Sequence, residues 1–292
     1  MLHGFTSVRD VHLLQAGASK GVAMKWLRFC QAGEVYWGVL RDNVAQICSG
    51  SPFEDGHHVT AERLPLDGLN LLPPSEPSKI VCVGRNYAEH AKELGNQPPQ
   101  EPLLFLKPPS AVLPPGDAIR LPSLSRQVEH EGELAVVIGR RCRDFRAGDD
   151  PRPFLFGFTC LNDVTARDLQ KTDGQWTRAK GFDTFCPFGP VIEDFSSGWP
   201  GPGPAPAGWD SSRPWRGLKL ETRVNDQLRQ AGDTADWLFS LDRLLAAISA
   251  VMTLEPGDLI ATGTPAGVGR LQAGDRVSVE IAGIGRLENP VV

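Results

Sequence analysis

Apolar residues from Met24 to Phe29, Val35 to Leu40 and Asn43 to Cys48 come in segments of strand length, and Arg41-Asp42 separates the second segment from the third. This spacing predicts a first strand followed by a hairpin. The densest apolar run, Leu134-Ala135-Val136-Val137-Ile138, is closed by Gly139 and predicts a strand buried on both faces. A second short apolar segment, Gly157 to Leu161, ends at Asn162-Asp163 and is followed by a helix start. Leu218 to Val224 predicts another strand, Asn225-Asp226 a turn, and Leu259–Ala261 and Arg276–Ile281 further strands. Between them the period changes: in Ser240–Met252, Leu241, Leu244, Leu245, Ile248 and Val251 share one face of an amphipathic helix.

Proline marks the divisions. The cluster Leu72-Pro73-Pro74-Ser75-Glu76-Pro77 suits a linker, so residues 24–75 are expected to form a small β-rich N-terminal domain and residues 76–292 the main domain, opening at Lys79. Residues 1–23 precede the first patterned segment and are expected to be a flexible leader. Residues 196–209, dense in Pro and Gly, exclude helix and strand and predict a surface loop. That loop is either a plain insertion or a place where Trp199 and Trp209 pack at a subunit contact or over a site mouth.

The chemistry concentrates where polar residues interrupt apolar runs. Glu131 and Glu133 immediately precede the densest run and, at a period of two, share one face of the strand, opposite Leu134, Val136 and Ile138. An isolated Glu-x-Glu reads best as a solvated edge. Here Asp163 closes the second apolar segment and adds a third acid at a strand end. Buried like charges need a positive partner, and an all-oxygen ligand set selects a hard divalent cation, Mg²⁺ or else Mn²⁺ or Ca²⁺. In Asn86-Tyr87-Ala88-Glu89-His90-Ala91-Lys92-Glu93-Leu94, Asn86 suits an N-cap and Glu89 the third helical position, so a short helix is predicted with His90 and Glu93 as neighbours. Such a pair is either a surface ion pair or a base whose tautomer the carboxylate fixes. Gly84 and Gly95 to Pro99 flank a helix with little core of its own, which is therefore expected to be mobile without ligand and ordered by a substrate analogue such as oxalate. Lys107, set between Leu106 and Pro108, either snorkels outward or points into a pocket. Gly263-Thr264 makes a tight turn that is plain or holds a carboxylate through its N–H and hydroxyl.

Five segments in order, Val83-Gly84-Arg85-Asn86-Tyr87-Ala88-Glu89-His90, His130-Glu131-Gly132-Glu133-Leu134, Asn162-Asp163-Val164-Thr165-Ala166-Arg167-Asp168, Lys180-Gly181-Phe182-Asp183-Thr184 and Ala261-Thr262-Gly263-Thr264-Pro265-Ala266-Gly267-Val268-Gly269, resemble the fumarylacetoacetate hydrolase family. The likeness runs from Lys79 to the C-terminus. It implies an α+β fold with a mixed β-sheet, β-roll-like core beside the small N-terminal β-rich unit, assembled as a homodimer. It also implies Glu131, Glu133 and Asp163 as metal ligands, and His90, Glu93 and Lys107 as catalytic residues on and beside a lid helix. By the same resemblance Arg85, Tyr87, Arg167, Gln170, Lys180, Gly263 and Thr264 contact substrate. Arg167 reads equally as a structural ion pair with Asp168 or Glu131. The implied activity is metal-dependent hydrolysis of a C–C bond in an acylpyruvate or related diketo acid, as in aromatic catabolism. An oxo-acid decarboxylase or a hydroxymuconate-type isomerase shares the same enolate chemistry. A non-catalytic metal-dependent binding protein on this fold is expected to lack His90 or Glu93.

Composition narrows the partners. The 292 residues suffice for a substantial core, and a formal charge of −5 without a basic run argues against nucleic acid or an anionic membrane surface. No apolar stretch reaches the length of a membrane span, and Arg9, Asp10 and His12 interrupt the N-terminus where a signal peptide needs an apolar core, so a cytoplasmic location is expected. Six cysteines, at positions 30, 48, 82, 142, 160 and 186, show no Cys-x-x-Cys pair and read as small buried hydrophobes in a reducing compartment.

Overall fold

The computed structural model describes residues 24–194 and 212–292. The expected leader at 1–23 and the loop at 196–209 lie outside the described residues. The N-terminal segment forms β1 (Lys25–Gln31), β2 (Glu34–Arg41), β3 (Val44–Ser49), β4 (His58–Pro65) and β5 (Asn70–Leu72). Then come β6 (Ile80–Gly84), α1 (Ala88–Glu93), β7 (Leu103–Lys107), β8 (Val112–Leu113), β9 (Val128–His130), β10 (Gly132–Ile138), β11 (Leu155–Asn162) and β12 (Thr165–Ala166). The chain continues through α2 (Arg167–Asp173), α3 (Thr177–Lys180), β13 (Cys186–Asp194), β14 (Lys219–Val224), β15 (Gln227–Asp233), α4 (Leu241–Val251), β16 (Leu259–Ala261), β17 (Gly269–Arg270), β18 (Arg276–Ile281) and β19 (Gly285–Pro290).

The largest sheet runs β4-β3-β2-β1-β13-β11-β10-β16-β6-β7, with β5 added beside β1 and β8 beside β13. It is mixed, because β16 runs parallel to β6 and β8 to β13 while the other pairs are antiparallel. Smaller sheets, β12-β9-β17 and β15-β14-β18-β19, complete the α+β fold. β10 lies in the interior of the large sheet with every residue buried, as its solid apolar run predicts. Leu134, Val136 and Ile138 join a core with α4 and the β14–β18 sheet, while Ala135 and Val137 join one with Trp26, Val39 and Ile192 on the opposite face. The N-terminal strands therefore share a sheet and a core with the rest of the chain: β1 pairs with β13 at Lys25↔Glu193 and Trp26↔Ile192.

Two expectations shift. The β2–β3 turn falls on Asp42 and Asn43, with φ of 48° and 59°, one residue later than the pattern predicts. Asp and Asn tolerate the left-handed conformation, and two in succession match the twist of the flanking strands. Asn225 and Asp226 do the same between β14 and β15, where the turn was predicted. In α4, Leu241, Leu244, Leu245 and Ile248 are buried, but Val251 is 68% exposed. The buried arc leans toward Ser249, whose hydroxyl accepts from the Phe145 N–H at 3.0 Å, so Val251 falls beyond its opposite border. No helix among the described residues is long and apolar enough to cross a membrane.

Candidate active site

The ladder from β9 to β10 breaks at Glu131, and the backbone there is clamped from β11 and the residue after it: Glu131 N–H donates to Asn162 Oδ1 (3.0 Å), and Glu131 C=O accepts from Asp163 N–H (2.8 Å). Glycine between the two glutamates allows close packing, since a Cβ on Gly132 would stand 2.0 Å from Thr222 Oγ1 on β14. From the next strand end, Gly263 N–H donates to Glu133 Oε2 at 2.8 Å. Gly263 sits at φ 101°, where a Cβ would meet that of Asn86 at 2.8 Å. These constraints bring Glu131, Glu133 and Asp163 together, each almost fully buried, with one carboxylate oxygen from each within 4.8 Å of the others.

Three cations surround this cluster. Lys180 Nζ bridges Glu131 Oε2 (2.8 Å) and Asp163 Oδ2 (2.6 Å), and Lys107 Nζ donates to Asp163 Oδ1 (2.5 Å) and Val164 C=O (3.1 Å). Arg167 donates from Nε to Glu129 Oε2 (2.7 Å), from Nη2 to Glu131 Oε1 (2.5 Å) and from Nη1 to Gln170 Oε1 (2.6 Å). The ion-pair reading of Arg167 thus holds for Glu131 and not for Asp168, which accepts from Ser125 and Arg126. Burial works against ionisation of Glu131, but Lys180 and Arg167 overcome it and hold the carboxyl far below the usual range. Glu133 has no side-chain cation bonded to it: burial, then Asp163 and Glu131, push its carboxyl well up. Three converging acids of which one lacks a bonded cation form a donor set that fits a hard divalent ion. Among the described residues this is the one group of His, Cys, Asp and Glu side chains close enough to hold a metal. The cysteines are unpaired; all but half-buried Cys30 are buried, and burial pushes the thiols of Cys160 and Cys186 up to about 12.

The acids form the floor of a cavity of about 460 Å³. Of the other predicted residues, Arg85, His90, Glu93, Arg167, Gln170, Lys180 and Thr264 also line it. Tyr87, Lys107 and Gly263 do not reach its wall. Tyr87 is buried and its hydroxyl accepts from Trp237 Nε1 (3.0 Å), Lys107 stands behind Asp163, and Gly263 spends its N–H on Glu133.

The helix carrying His90 differs from the expectation. Its N-cap is Tyr87, with no side-chain cap. Asn86 instead donates from Nδ2 to Thr262 C=O (2.8 Å) and accepts at Oδ1 from Phe239 N–H (2.9 Å), because a buried amide secures more by joining two strand ends than by closing one exposed turn. The helix is also better held than its length suggests: His90 and Ala91 are buried, and Glu93 at its far end accepts from Gly267 N–H (3.0 Å). His90 Nδ1 lies 3.3 Å from Glu93 Oε2. That contact assigns the ring proton to Nδ1 and leaves Nε2 as a base. Burial lowers the His90 pKa below its ordinary value, so the ring is neutral at pH 7.

Several residues of the site escape sequence reasoning. Glu129 is buried beneath Arg167, and its place at the same parity as Glu131 and Glu133 is the signal that could have found it. Phe105 and Trp176 face the cavity in an edge-on contact at 5.1 Å, and Lys171 lines it one helical turn beyond Arg167. Gln230 ties the site to β15: its Oε1 accepts from Gly132 N–H (3.0 Å) and its Nε2 donates to Thr264 Oγ1 (2.7 Å).

Residues 79–292 match the family model for the fumarylacetoacetate (FAA) hydrolase C-terminal region, and residues 24–74 match one described as Rv2993c-like, N-terminal. Oxaloacetate tautomerase YisK of Bacillus subtilis is 42% identical over 230 residues, covering 75% of this chain and 71% of its own. Among solved structures, 2-hydroxyhepta-2,4-diene-1,7-dioate isomerase from Mycobacterium marinum superposes with a TM-score of 0.79 at 42% identity, covering 92% of this chain and 98% of its own. Maleylpyruvate hydrolase from Sphingobium sp. SYK-6, in complex with manganese(II) and pyruvate, gives 0.71 at 33% identity, covering 92% and 99%.

Proposed function

The chain belongs to the fumarylacetoacetate hydrolase family, and from that premise we propose that it is a divalent-metal-dependent enzyme moving a proton at the carbon next to the keto group of a 2-oxo acid, a keto–enol tautomerase or double-bond isomerase. The observation that carries this reading is His90: a buried neutral imidazole, its Nδ1 held by Glu93, facing the same cavity as the three acids. Held by Glu131, Glu133 and Asp163, a cation such as Mg²⁺ or Mn²⁺ would supply a Lewis acid for the carboxylate and keto oxygens of the 2-oxo acid.

His90 Nε2 removes the proton from C3, and the electron pair of that C–H bond moves toward the keto oxygen. Glu93 stabilises the imidazolium that forms. The proton returns either to the oxygen, giving the enol, or to a carbon further along a conjugated chain, giving the shifted double bond. Lys180 and Arg167 keep Glu131 ionised, and Lys180 and Lys107 each donate to Asp163. Hydrolysis is the second reading, supported by the likeness to maleylpyruvate hydrolase. There, His90 takes a proton from water, the hydroxyl oxygen bonds to the distal carbonyl carbon, the C–C bond breaks, and the imidazolium protonates the departing pyruvate carbanion. A homodimer belongs to the same proposal on family likeness, and a cytoplasmic location joins it from the sequence pattern alone.

The deciding experiment incubates the Mg²⁺-loaded protein in D₂O with oxaloacetate and, separately, with an acylpyruvate. Deuterium entering C3 and accelerated decay of the enol absorbance, without chain cleavage or CO₂, support the tautomerase. Acylpyruvate cleavage moves the assignment to hydrolase, and CO₂ release from oxaloacetate to decarboxylase.

A further inference from the structure

The two stretches of chain that hold the site run side by side except at one place. His130 on β9 lies opposite Gly269 on β17, and Ala135 on β10 opposite Ala261 on β16. Between those pairs residues 262–268 face the shorter stretch 131–134, so the longer one loops away from Glu131. Thr262 N–H still donates to Leu134 C=O (3.1 Å). Beyond that bond, side chains cross the gap, and the one at its centre comes from a third strand: Gln230 of β15.

The Gln230 amide is buried and spends its full bonding capacity on both sides of the gap. Its Oε1 accepts from Gly132 N–H (3.0 Å) and from His130 Nδ1 (3.1 Å), while Nε2 donates to Thr264 Oγ1 (2.7 Å) and Pro265 C=O (2.8 Å). One end thus grips the residue between two of the acids, and the other grips the turn. That turn reaches the helix carrying His90, because Gly267 N–H donates to Glu93 Oε1 (3.0 Å) and Glu93 Oε2 lies 3.3 Å from His90 Nδ1. Gly267 itself rests on β15, where a Cβ would stand 2.1 Å from Arg229 C=O. The floor has supports of its own: Asn162 and Asp163 clamp the Glu131 backbone, Lys180 and Arg167 hold its carboxylate, and Gly263 N–H holds Glu133. Loss of the Gln230 amide therefore frees the turn, and with it Glu93, while the acids keep their places.

We propose that Gln230 is a positioning residue for proton transfer: it fixes the turn at 264–267 at the distance from the three acids at which Glu93 holds His90 against the cavity. The proposal rests on the reading of His90 and Glu93 as the base pair. It applies whether the proton is taken from carbon or from water.

A double-mutant cycle on the Mg²⁺-loaded full chain tests it, with decay of the enol of oxaloacetate and, separately, acylpyruvate cleavage as the rates. Gln230→Met, of similar length and without the amide, should lower kcat about tenfold or more, the scale of a misplaced catalytic group, with KM and the Mn²⁺ affinity by calorimetry unchanged. In the Glu93→Gln background the same substitution should cost less than about twofold, because the contact it positions is already gone. Gln230→Glu keeps the shape and the acceptor for Gly132 N–H, and a carboxyl proton replaces one of the two donors, so its loss should be smaller; it also serves for the cycle if Gln230→Met does not fold. Hydrogen exchange gives a readout apart from activity: in Gln230→Met the amides of α1 and of 264–268 should lose protection while those of β10 keep it. Losses that multiply in the double variant, a fall in Mn²⁺ affinity matching the fall in kcat, or equal loss of protection in β10 overturns the role of Gln230 and leaves the base pair standing. A Glu93→Gln variant as fast as wild type in both assays removes the base pair, and the proposal with it.

Discussion

Gly132 is the narrowest point of the site, and replacing it by alanine gives a quantitative test of how the acids are held. The new Cβ would lie 2.0 Å from Thr222 Oγ1, with Thr222 Cβ and Val279 Cγ2 next at 3.3 Å. An overlap of that size in a packed interior forces a backbone shift and costs about 1–3 kcal/mol. Thr222 Oγ1 is itself buried without a hydrogen-bond partner, so Thr222→Ala deletes an unsatisfied hydroxyl and should be nearly neutral. With the hydroxyl gone, the closest contacts of an alanine at 132 are the two at 3.3 Å, which a few tenths of an ångström relieve. Urea unfolding is therefore expected to show Gly132→Ala losing about 2 kcal/mol in the wild-type background and less than about 1 kcal/mol in Thr222→Ala, a coupling of roughly 1 kcal/mol or more. Because Gly132 separates two of the three acids, Mn²⁺ affinity by calorimetry should fall in the single variant and recover in the double. Equal destabilisation by Gly132→Ala in both backgrounds would refute the steric account.

Three further outcomes follow from the same geometry. Glu131→Gln should abolish turnover and weaken Mg²⁺ or Mn²⁺ binding with the native circular dichroism spectrum retained, at a cost in stability because Lys180 and Arg167 lose a buried carboxylate; unchanged divalent affinity by calorimetry removes Glu131 from the ligand set. His90→Ala and Glu93→Gln should each lower kcat by roughly 10²-fold or more, and the double variant should lose little beyond either single one, with metal affinity unaltered in all three; additive losses in steady-state kinetics would mean the two residues do not act as a unit. Glu193, buried on β13 with Lys25 3.4 Å away, has its carboxyl pushed up to about 7 by burial. The folded state then binds the extra proton between the ordinary glutamate range and pH 7, so stability falls as pH rises through that window. Glu193→Gln removes the slope and should gain roughly 3 kcal/mol over the wild type at pH 8 relative to pH 4; parallel stability curves for the two proteins would contradict it.

Elements whose residues are decided by their own neighbours were legible in the sequence. β10 is one: five consecutive apolar residues bounded by glycine can only be buried on both faces, and the fold places them there. The turn at Asn225-Asp226 is another. Misreadings arose where a distant partner decides. Asn86 is a good N-cap by composition, but Thr262 and Phe239, far away in sequence, offer its amide two buried bonds. Val251 has the right spacing for the buried face of α4, but the direction of that face is set by Ser249 meeting Phe145.

The same distinction separates the parts of the site. Glu131, Glu133 and Asp163 announce themselves together, because three acids border two apolar runs and like charges drawn into a core need a positive partner. Their neutralising cations do not: Lys107 is a lysine in a strand until the fold sets it behind Asp163, outside the cavity where a substrate contact was expected. Gly263 likewise appeared as a carboxylate binder and is one, but the carboxylate is that of Glu133. In both places the predicted chemistry, a positive group or an N–H facing a carboxylate, is present and is directed at the protein's own acids. The polar groups nearest the floor are therefore spent on positioning Glu131, Glu133 and Asp163.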